Sequence, residues 1–120
     1  MENCDQQLLM IEKTNWDEVP TEEVTPCMHR KIITGEKLMI AKMKFKDGFV
    51  VPLHHHHHEQ VTQLISGQMR FWFGENKEQV MDLFPGDVVV IPSNLPHEAM
   101  NDRRCGRNRY VVATTPGLVR

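Results

Sequence analysis

Short apolar or alternating segments, separated by turn-forming residues, account for most of the chain. Alternation of apolar and polar residues predicts strands with one buried face, and Gly, Pro, Asn and Asp between them predict tight turns. We predict strands at Lys31–Ile33, Leu38–Phe45, Val50–His56, Gln60–Ser66, Gln68–Phe73, Gln79–Asp82, Asp87–Ile91, His97–Met100 and Arg109–Thr114. Because isolated hairpins cannot bury their apolar faces, so many short strands predict an all-β sandwich or barrel.

The length limits how many domains these strands can form. At 120 residues the chain suits one domain with a hydrophobic core and is too short for two of ordinary size. We predict a barrel over residues 31–120, preceded by an arm over residues 1–30 that packs on the barrel or on a partner subunit. A short helix or turn is expected within the arm, between Thr14 and Glu23.

The charge balance argues against nucleic acid and membranes as partners. The chain has 14 Lys and Arg against 16 Asp and Glu, a formal net charge of −2, and no long block of either sign. One basic cluster is interrupted by Gly and Asn, which is typical of a solvated turn; its members are Arg103, Arg104, Arg107 and Arg109. We therefore expect a small molecule as the partner.

The cysteines and the first residues indicate a compartment. Cys4, Cys27 and Cys105 are widely spaced and form no CxxC pair, which fits a reducing environment better than a disulfide framework. The first ten residues are acidic and polar, where a secretory signal would be basic and then apolar. No segment approaches the length of a membrane span. We expect a cytoplasmic protein.

Five consecutive histidines, His54–His58, lie inside the chain between two strand-like segments. An affinity tag would produce such a run, but tags are placed at termini. Because successive side chains of a strand point to opposite faces, His54 and His56 share one side and His55 takes the other. We predict that His54 and His56 point inward, and that His55 and His57 lie on the outer surface or in a turn.

Gln60 is a candidate to join the two inward histidines. It shares its parity on the next predicted strand with Thr62 and Leu64. If the chain turns back after His58, an inward side chain from that strand comes beside the imidazoles. Gln60 is therefore a candidate third ligand for a metal ion.

Two gapped patterns resemble the two sequence motifs of the cupin superfamily. The first normally carries Glu at the position of Gln60, and its members here are Gly48, His54, His56, Gln60 and Gly67. The second normally carries Gly at the position of Asn94, and its members here are Gly86, Pro92, Asn94, His97 and Asn101. Asn is the best substitute for Gly where a turn needs positive φ, so we expect this turn to form.

The resemblance covers about residues 31–114 and implies a double-stranded β-helix, also called a jelly-roll barrel, with one metal ion. The implied ligands are His54, His56, Gln60 and His97. Three imidazoles and one amide oxygen suit Zn, Fe, Ni, Mn or Co, and suit Ca or Mg poorly. A neutral Gln in place of Glu leaves the ion more electrophilic, which favours polarisation of a carbonyl over redox cycling of iron.

The stretch HHHHHEQVTQLISGQ also resembles the small cupins named as pectin degradation proteins, which ketonise unsaturated uronic sugars. The resemblance implies a comparable tautomerisation, and a metal-dependent isomerase acting on a small carbonyl or sugar-acid-like compound is our leading hypothesis. That family has an acidic residue, an aromatic and an Arg near its last strand, whereas this chain has Tyr110 to Pro116 there, so the same substrate is not implied. A non-haem iron or nickel dioxygenase and a non-catalytic binding barrel remain as alternatives.

The inner and outer faces of the predicted barrel can also be assigned. Inward parity falls on an apolar set that is either core or pocket lining: Met39, Ala41, Met43, Phe45, Met69, Phe71 and Phe73. If some of them reach the pocket, the substrate is partly apolar. Polar candidates for the mouth are His58, Arg70, Trp72 and Tyr110. Leu38 and Ile40 are apolar on the outward face of their strand, which predicts a homodimer.

Overall fold

The computed structural model describes residues 11–46 and 48–101, together with the backbone of residues 109–114. One 3-10 turn, Trp16–Glu18, precedes the strands. The strands in chain order are β1 (Glu22–Thr25), β2 (Met28–Thr34), β3 (Met39–Phe45), β4 (Val50–His54), β5 (Gln60–Ser66), β6 (Met69–Phe73), β7 (Gln79–Leu83), β8 (Val88–Ile91), β9 (His97–Asn101) and β10 (Arg109–Thr114).

The strands form two antiparallel sheets. The larger has six strands in the order β1-β2-β3-β10-β5-β8, and the smaller has four in the order β4-β9-β6-β7. Neighbours such as β3 and β10 are far apart in sequence, so the chain crosses repeatedly from one sheet to the other. This all-β arrangement is the jelly-roll barrel that the sequence predicted. No helix in the described residues is long and apolar enough to cross a membrane.

The hydrophobic core lies between the two sheets and contains side chains from both. Along β6 the burial alternates, with Met69, Phe71 and Phe73 buried and the residues between them partly exposed. The rings of Phe71 and Phe73 are stacked, with centroids 5.9 Å apart. Other buried members are Phe45, Leu64, Leu83, Ile91 and Ala99. The inward parity predicted for β6 is therefore confirmed.

The sheet begins earlier in the chain than the sequence suggested. The expected boundary between arm and barrel, at residue 30, falls inside β2, and β1 was not predicted as a strand. β1 pairs with β2 at the edge of the large sheet, where an ion pair joins Glu22 to Arg30 and a hydrogen bond joins Glu23 to His29. Because β1 is mainly polar and exposed, it lacks the alternation that marks a half-buried strand.

The helix or turn expected between Thr14 and Glu23 is the 3-10 turn, where Asn15 Oδ1 accepts a hydrogen bond from the backbone N–H of Asp17.

The outward apolar residues from which a homodimer was predicted are Leu38 and Ile40. Leu38 is 45% exposed, and Ile40 is partly buried. An outward apolar Leu38 agrees with the expected parity of that segment, and the homodimer stays a prediction.

Asn101 links the end of β9 to the turn between β3 and β4. Its side chain is fully buried, and its Nδ2 donates to the carbonyl oxygens of Phe45 at 3.1 Å and Lys46 at 2.6 Å. Its backbone N–H donates to the carbonyl of Phe49 at 3.0 Å. The Phe49 N–H also donates to the Lys46 carbonyl, at 3.2 Å, so Asn101 and the turn's own backbone together hold the approach to β4 in place.

We expect Asn101→Ala to lower the free energy of unfolding by about 2 kcal/mol, because it removes two hydrogen bonds that a fully buried side chain makes to the backbone. Asn76→Ala, at an exposed turn position, is the matched control and should change stability by less than about 0.5 kcal/mol. Urea unfolding followed by fluorescence measures both. Equal stability of the two variants would show that the Asn101 amide does not anchor this turn.

Candidate metal centre

Two of the predicted ligands come from β4 and β9, which are neighbours in the smaller sheet. His54 is the last residue of β4, His97 is the first residue of β9, and the two are partners in the antiparallel register. His97 also pairs with Phe73 of β6, so it lies between two strands and is only 3% exposed. Backbone pairing therefore brings both imidazoles to one end of the barrel.

His56 reaches the same place from a loop. The prediction of a strand through His56 was wrong, because β4 ends at His54. The pairing with β9 is already irregular between Val51 and His54, where Pro52 has no N–H to donate. The loop is held by the second motif instead: the Asn94 N–H donates to the His56 carbonyl at 2.8 Å.

The turn that holds this loop uses the left-handed backbone conformation predicted from the sequence. Asn94 has φ of 66°, which an Asn tolerates better than most other residues. The neighbouring Ser93 hydroxyl donates to the carbonyl of His57. The turn of the second motif therefore orients the histidine loop of the first.

The three imidazoles form a compact cluster. Ring centroids are 4.3 Å apart for His54 and His97, 5.1 Å for His56 and His97, and 5.7 Å for His54 and His56. One ring nitrogen from each lies within 4.8 Å of the others. Nitrogen atoms this close can share one metal ion.

Hydrogen bonds to the backbone determine which ring nitrogen is available. Nδ1 lies 2.7 Å from the Pro52 carbonyl in His54, 2.7 Å from the His58 carbonyl in His56, and 2.8 Å from the Leu95 carbonyl in His97. A carbonyl oxygen only accepts, so Nδ1 carries the proton in each ring. In its neutral form each ring therefore keeps a lone pair on Nε2, the arrangement typical of metal-ligating histidines.

His97 shows most clearly that this lone pair lacks a partner. Its Nε2 is buried and makes no hydrogen bond to any described residue. Burial lowers the pKa of His97 below the usual 6.5, and the nearby His54 and His56 lower it further, although the hydrogen bond to Leu95 raises it. The ring therefore stays neutral at neutral pH and can donate an electron pair.

Gln60 completes the set from β5. Its Nε2 donates to Thr62 Oγ1 at 2.8 Å, which turns Oε1 toward His56 at 3.0 Å from the ring Nε2. With the His56 proton on Nδ1, the lone pairs of His56 Nε2 and Gln60 Oε1 lie side by side at this distance. One cation could accept both, so the donor set fits a divalent metal ion.

A cavity of about 260 Å³ opens beside the cluster. Its walls include every member of the predicted inward apolar set except Phe73, and the full lining is Met28, Arg30, Met39, Ala41, Met43, Phe45, Val51, His54, Gln60, Thr62, Met69, Phe71, His97 and Ala99. The predicted Met-rich lining therefore borders open space as well as core. Sequence reasoning missed Arg30, which fell in the expected arm, although its parity with Met28 and Ile32 was a usable signal.

The other candidates lie elsewhere. His55 and His57 are exposed and outside the cluster, and His58 contributes its carbonyl to His56 while its ring lies against His57. Arg70 does not line the cavity: it alternates with inward Met69 and pairs with Asp82 at 2.7 Å. Its assignment to the mouth is not supported, because its strand parity directs it to the opposite face.

Tyr110 was also predicted to lie near the mouth. Its backbone lies in β10, where it pairs with Lys44 of β3 and Ser66 of β5. Its side chain and the basic cluster at residues 103–107 fall outside the part of the chain that the structure describes.

The chain is similar to one known protein family and to several solved structures. A family model described as Cupin domain matches residues 41–104, more than half of the chain. KdgF from Halomonas sp. is 24% identical, with a TM-score of 0.78 over 89% of this chain and 94% of that one. An RmlC-like cupin from Shewanella frigidimarina is 19% identical, with a TM-score of 0.76 over 89% and 91%.

A third similar structure is the polyketide cyclase RemF from Streptomyces resistomycificus. It is 16% identical, with a TM-score of 0.75 over 89% of this chain and 80% of that one. Likeness at these identities shows a shared fold. A comparison with curated proteins gave no significant match.

We expect His54→Ala, His56→Ala and His97→Ala each to weaken Zn²⁺ binding by more than about 100-fold, because each removes one of the converging nitrogens. His55→Ala is the control and should bind as the wild type does. Competition with a chromophoric chelator measures the affinities, and circular dichroism checks the fold. Equal loss in His54→Ala and His55→Ala would show that the cluster is not the binding site.

Thr62 provides a second test, because its hydroxyl holds the Gln60 amide. Thr62→Val should weaken Zn²⁺ binding by about 10-fold, as is usual for the loss of a contact that orients a ligand. Thr62→Ser keeps the hydroxyl and should restore most of the affinity. If Val and Ser bind alike, the amide is oriented by something other than Thr62.

Proposed function

Because this chain belongs to the cupin family, we propose that it is a metal-dependent enzyme that isomerises or tautomerises a small carbonyl compound. The observation that carries the proposal is the neutral character of the donor set. Three imidazoles and the amide of Gln60 converge, and no Asp or Glu is among the described residues that line the cavity.

A neutral donor set matters because it leaves the charge of a bound cation undiminished. A divalent ion held by His54, His56, Gln60 and His97 would supply Lewis acidity, polarising a carbonyl and stabilising negative charge on its oxygen. The chain's contribution is to preset the ligands. Thr62 orients the amide, and the backbone carbonyls orient the rings, so little reorganisation is needed when substrate arrives.

The walls of the cavity support the same chemistry. Met43, Met69 and Phe71 are among the apolar side chains that line it beside the histidines. An apolar wall excludes water and lowers the local dielectric, which strengthens each electrostatic interaction with a developing oxyanion. The same wall favours a substrate with an apolar portion.

Similar proteins also support a carbonyl compound as the substrate. The histidine stretch resembles that of the pectin degradation proteins, which ketonise unsaturated uronic sugars, and one structure with a similar fold is described as a polyketide cyclase. Both comparisons concern proteins that act on oxygenated carbon skeletons. We propose that this chain takes a small carbonyl compound of that general kind.

We expect Gln60→Glu to bind Zn²⁺ at least as tightly as the wild type and to turn over substrate more slowly. A carboxylate is the better ligand, but its charge reduces the electrophilicity of the centre. Gln63→Glu is the matched control, because Gln63 is exposed on the same strand and its substitution adds the same charge outside the cavity.

The assay begins with a panel of unsaturated uronates, 2-oxo acids and polyphenols, tested aerobically and anaerobically. The proposal requires turnover that does not depend on O₂ and falls in Gln60→Glu while metal affinity does not. Faster anaerobic turnover by Gln60→Glu would contradict the Lewis-acid account. Turnover that consumes O₂ would favour a dioxygenase in its place.

A further inference from the structure

Arg30 is the one permanently charged side chain among the described residues that line the cavity. It lies on β2, directly opposite Met43 of β3 in the antiparallel register, and Met43 also lines the cavity. Arg30 therefore comes from the large sheet, whereas His54 and His97 come from the small one. The cavity has a cation on one wall and the metal-ligand cluster on the other.

The bonding of Arg30 leaves most of its donors available. Nε donates to Glu22 Oε1 at 2.6 Å, and Nη1 and Nη2 donate to no described residue. A guanidinium has five N–H groups, and its two terminal nitrogens form a planar fork that fits a carboxylate. Glu22 thus steadies Arg30 from the side and leaves the fork unused.

Exposure places this fork at the entrance. The Arg30 side chain is 36% exposed, and that of Glu22 is 58% exposed. Ion pairs this accessible to water add little stability. The pair with Glu22 therefore does not by itself explain why an arginine lies among the apolar residues of this wall. A binding role accounts for both the position and the free donors.

The wall between the two polar regions is apolar, with Met39, Met43, Phe45 and Phe71 among its members. A ligand that satisfies the whole cavity needs an oxygen for the metal centre, an apolar body and an anion for Arg30. We infer that the substrate is an organic acid whose carboxylate pairs with Nη1 and Nη2 of Arg30 while its carbonyl lies at the histidine cluster. This inference rests on the proposed function.

The test uses Zn²⁺-loaded full-length protein and benzoylalkanoates with one to five methylene groups between ketone and carboxylate. Each acid is compared with its methyl ester, which has the same body without the charge. Calorimetric titration measures both affinities. At least one acid should bind about 10-fold more tightly than its ester, as expected for a hydrogen-bonded ion pair.

Two arginine variants show whether Arg30 causes the preference for the acid over its ester. Arg30→Met should abolish the difference between acid and ester and leave the affinities for the ester and for Zn²⁺ unchanged. Arg70→Met is the matched control: Arg70 is also a half-exposed arginine paired with an acidic residue, Asp82, but lies outside the cavity. It should keep the full preference for the acid.

The inference is overturned if no acid in the series is preferred, or if Arg30→Met keeps the preference. Measurements on the metal-free protein distinguish a failure of this inference from a failure of the proposed function. If removal of Zn²⁺ leaves ester binding unchanged while the preference still depends on Arg30, the carboxylate site stands and the role of the metal fails. If Zn²⁺ strengthens ester binding but no acid is preferred, the metal centre stands and Arg30 is not a carboxylate site.

Discussion

The hydrogen bond from each histidine Nδ1 to a backbone carbonyl is the interaction on which the site depends. It directs the lone pair of Nε2 to a common point and removes the choice between tautomers in His54, His56 and His97. In each case the acceptor is two residues away, so the local path of the backbone sets the direction of the ring. Whatever holds those turns therefore also holds the centre.

The turns are held by contacts that join distant parts of the chain. Asn94 donates to the His56 carbonyl, and Asn101 donates to the carbonyls of Phe45 and Lys46 where β3 ends and the turn toward β4 begins. Both asparagines belong to the second motif and act on the first. The cavity between the sheets then combines this rigid polar end with an apolar wall and the cation of Arg30, a combination suited to an amphipathic ligand.

Apolar alternation was sufficient to predict an all-β chain, and the resemblance to the two cupin motifs implied the jelly-roll barrel, the positive φ of Asn94 and the meeting of His54, His56 and His97. The sequence did not predict that β4 ends at His54, because the irregular pairing around Pro52 depends on β9. It also missed Arg30, which falls in the segment assigned to the arm, and it left open which face Arg70 takes, although the parity of Arg70 with the buried Met69 places it opposite the core.

The central claim is that three Nε2 atoms are prepared for a metal before it binds. Long-range ¹H–¹⁵N correlation spectra of the metal-free protein, at about pH 8 where histidine is neutral, report the tautomer of each ring directly. We predict a protonated Nδ1 in His54, His56 and His97, and displacement of their Nε2 resonances alone on addition of one equivalent of Zn²⁺. Protonated Nε2 in these rings, or displacement confined to His55 and His57, would contradict the account.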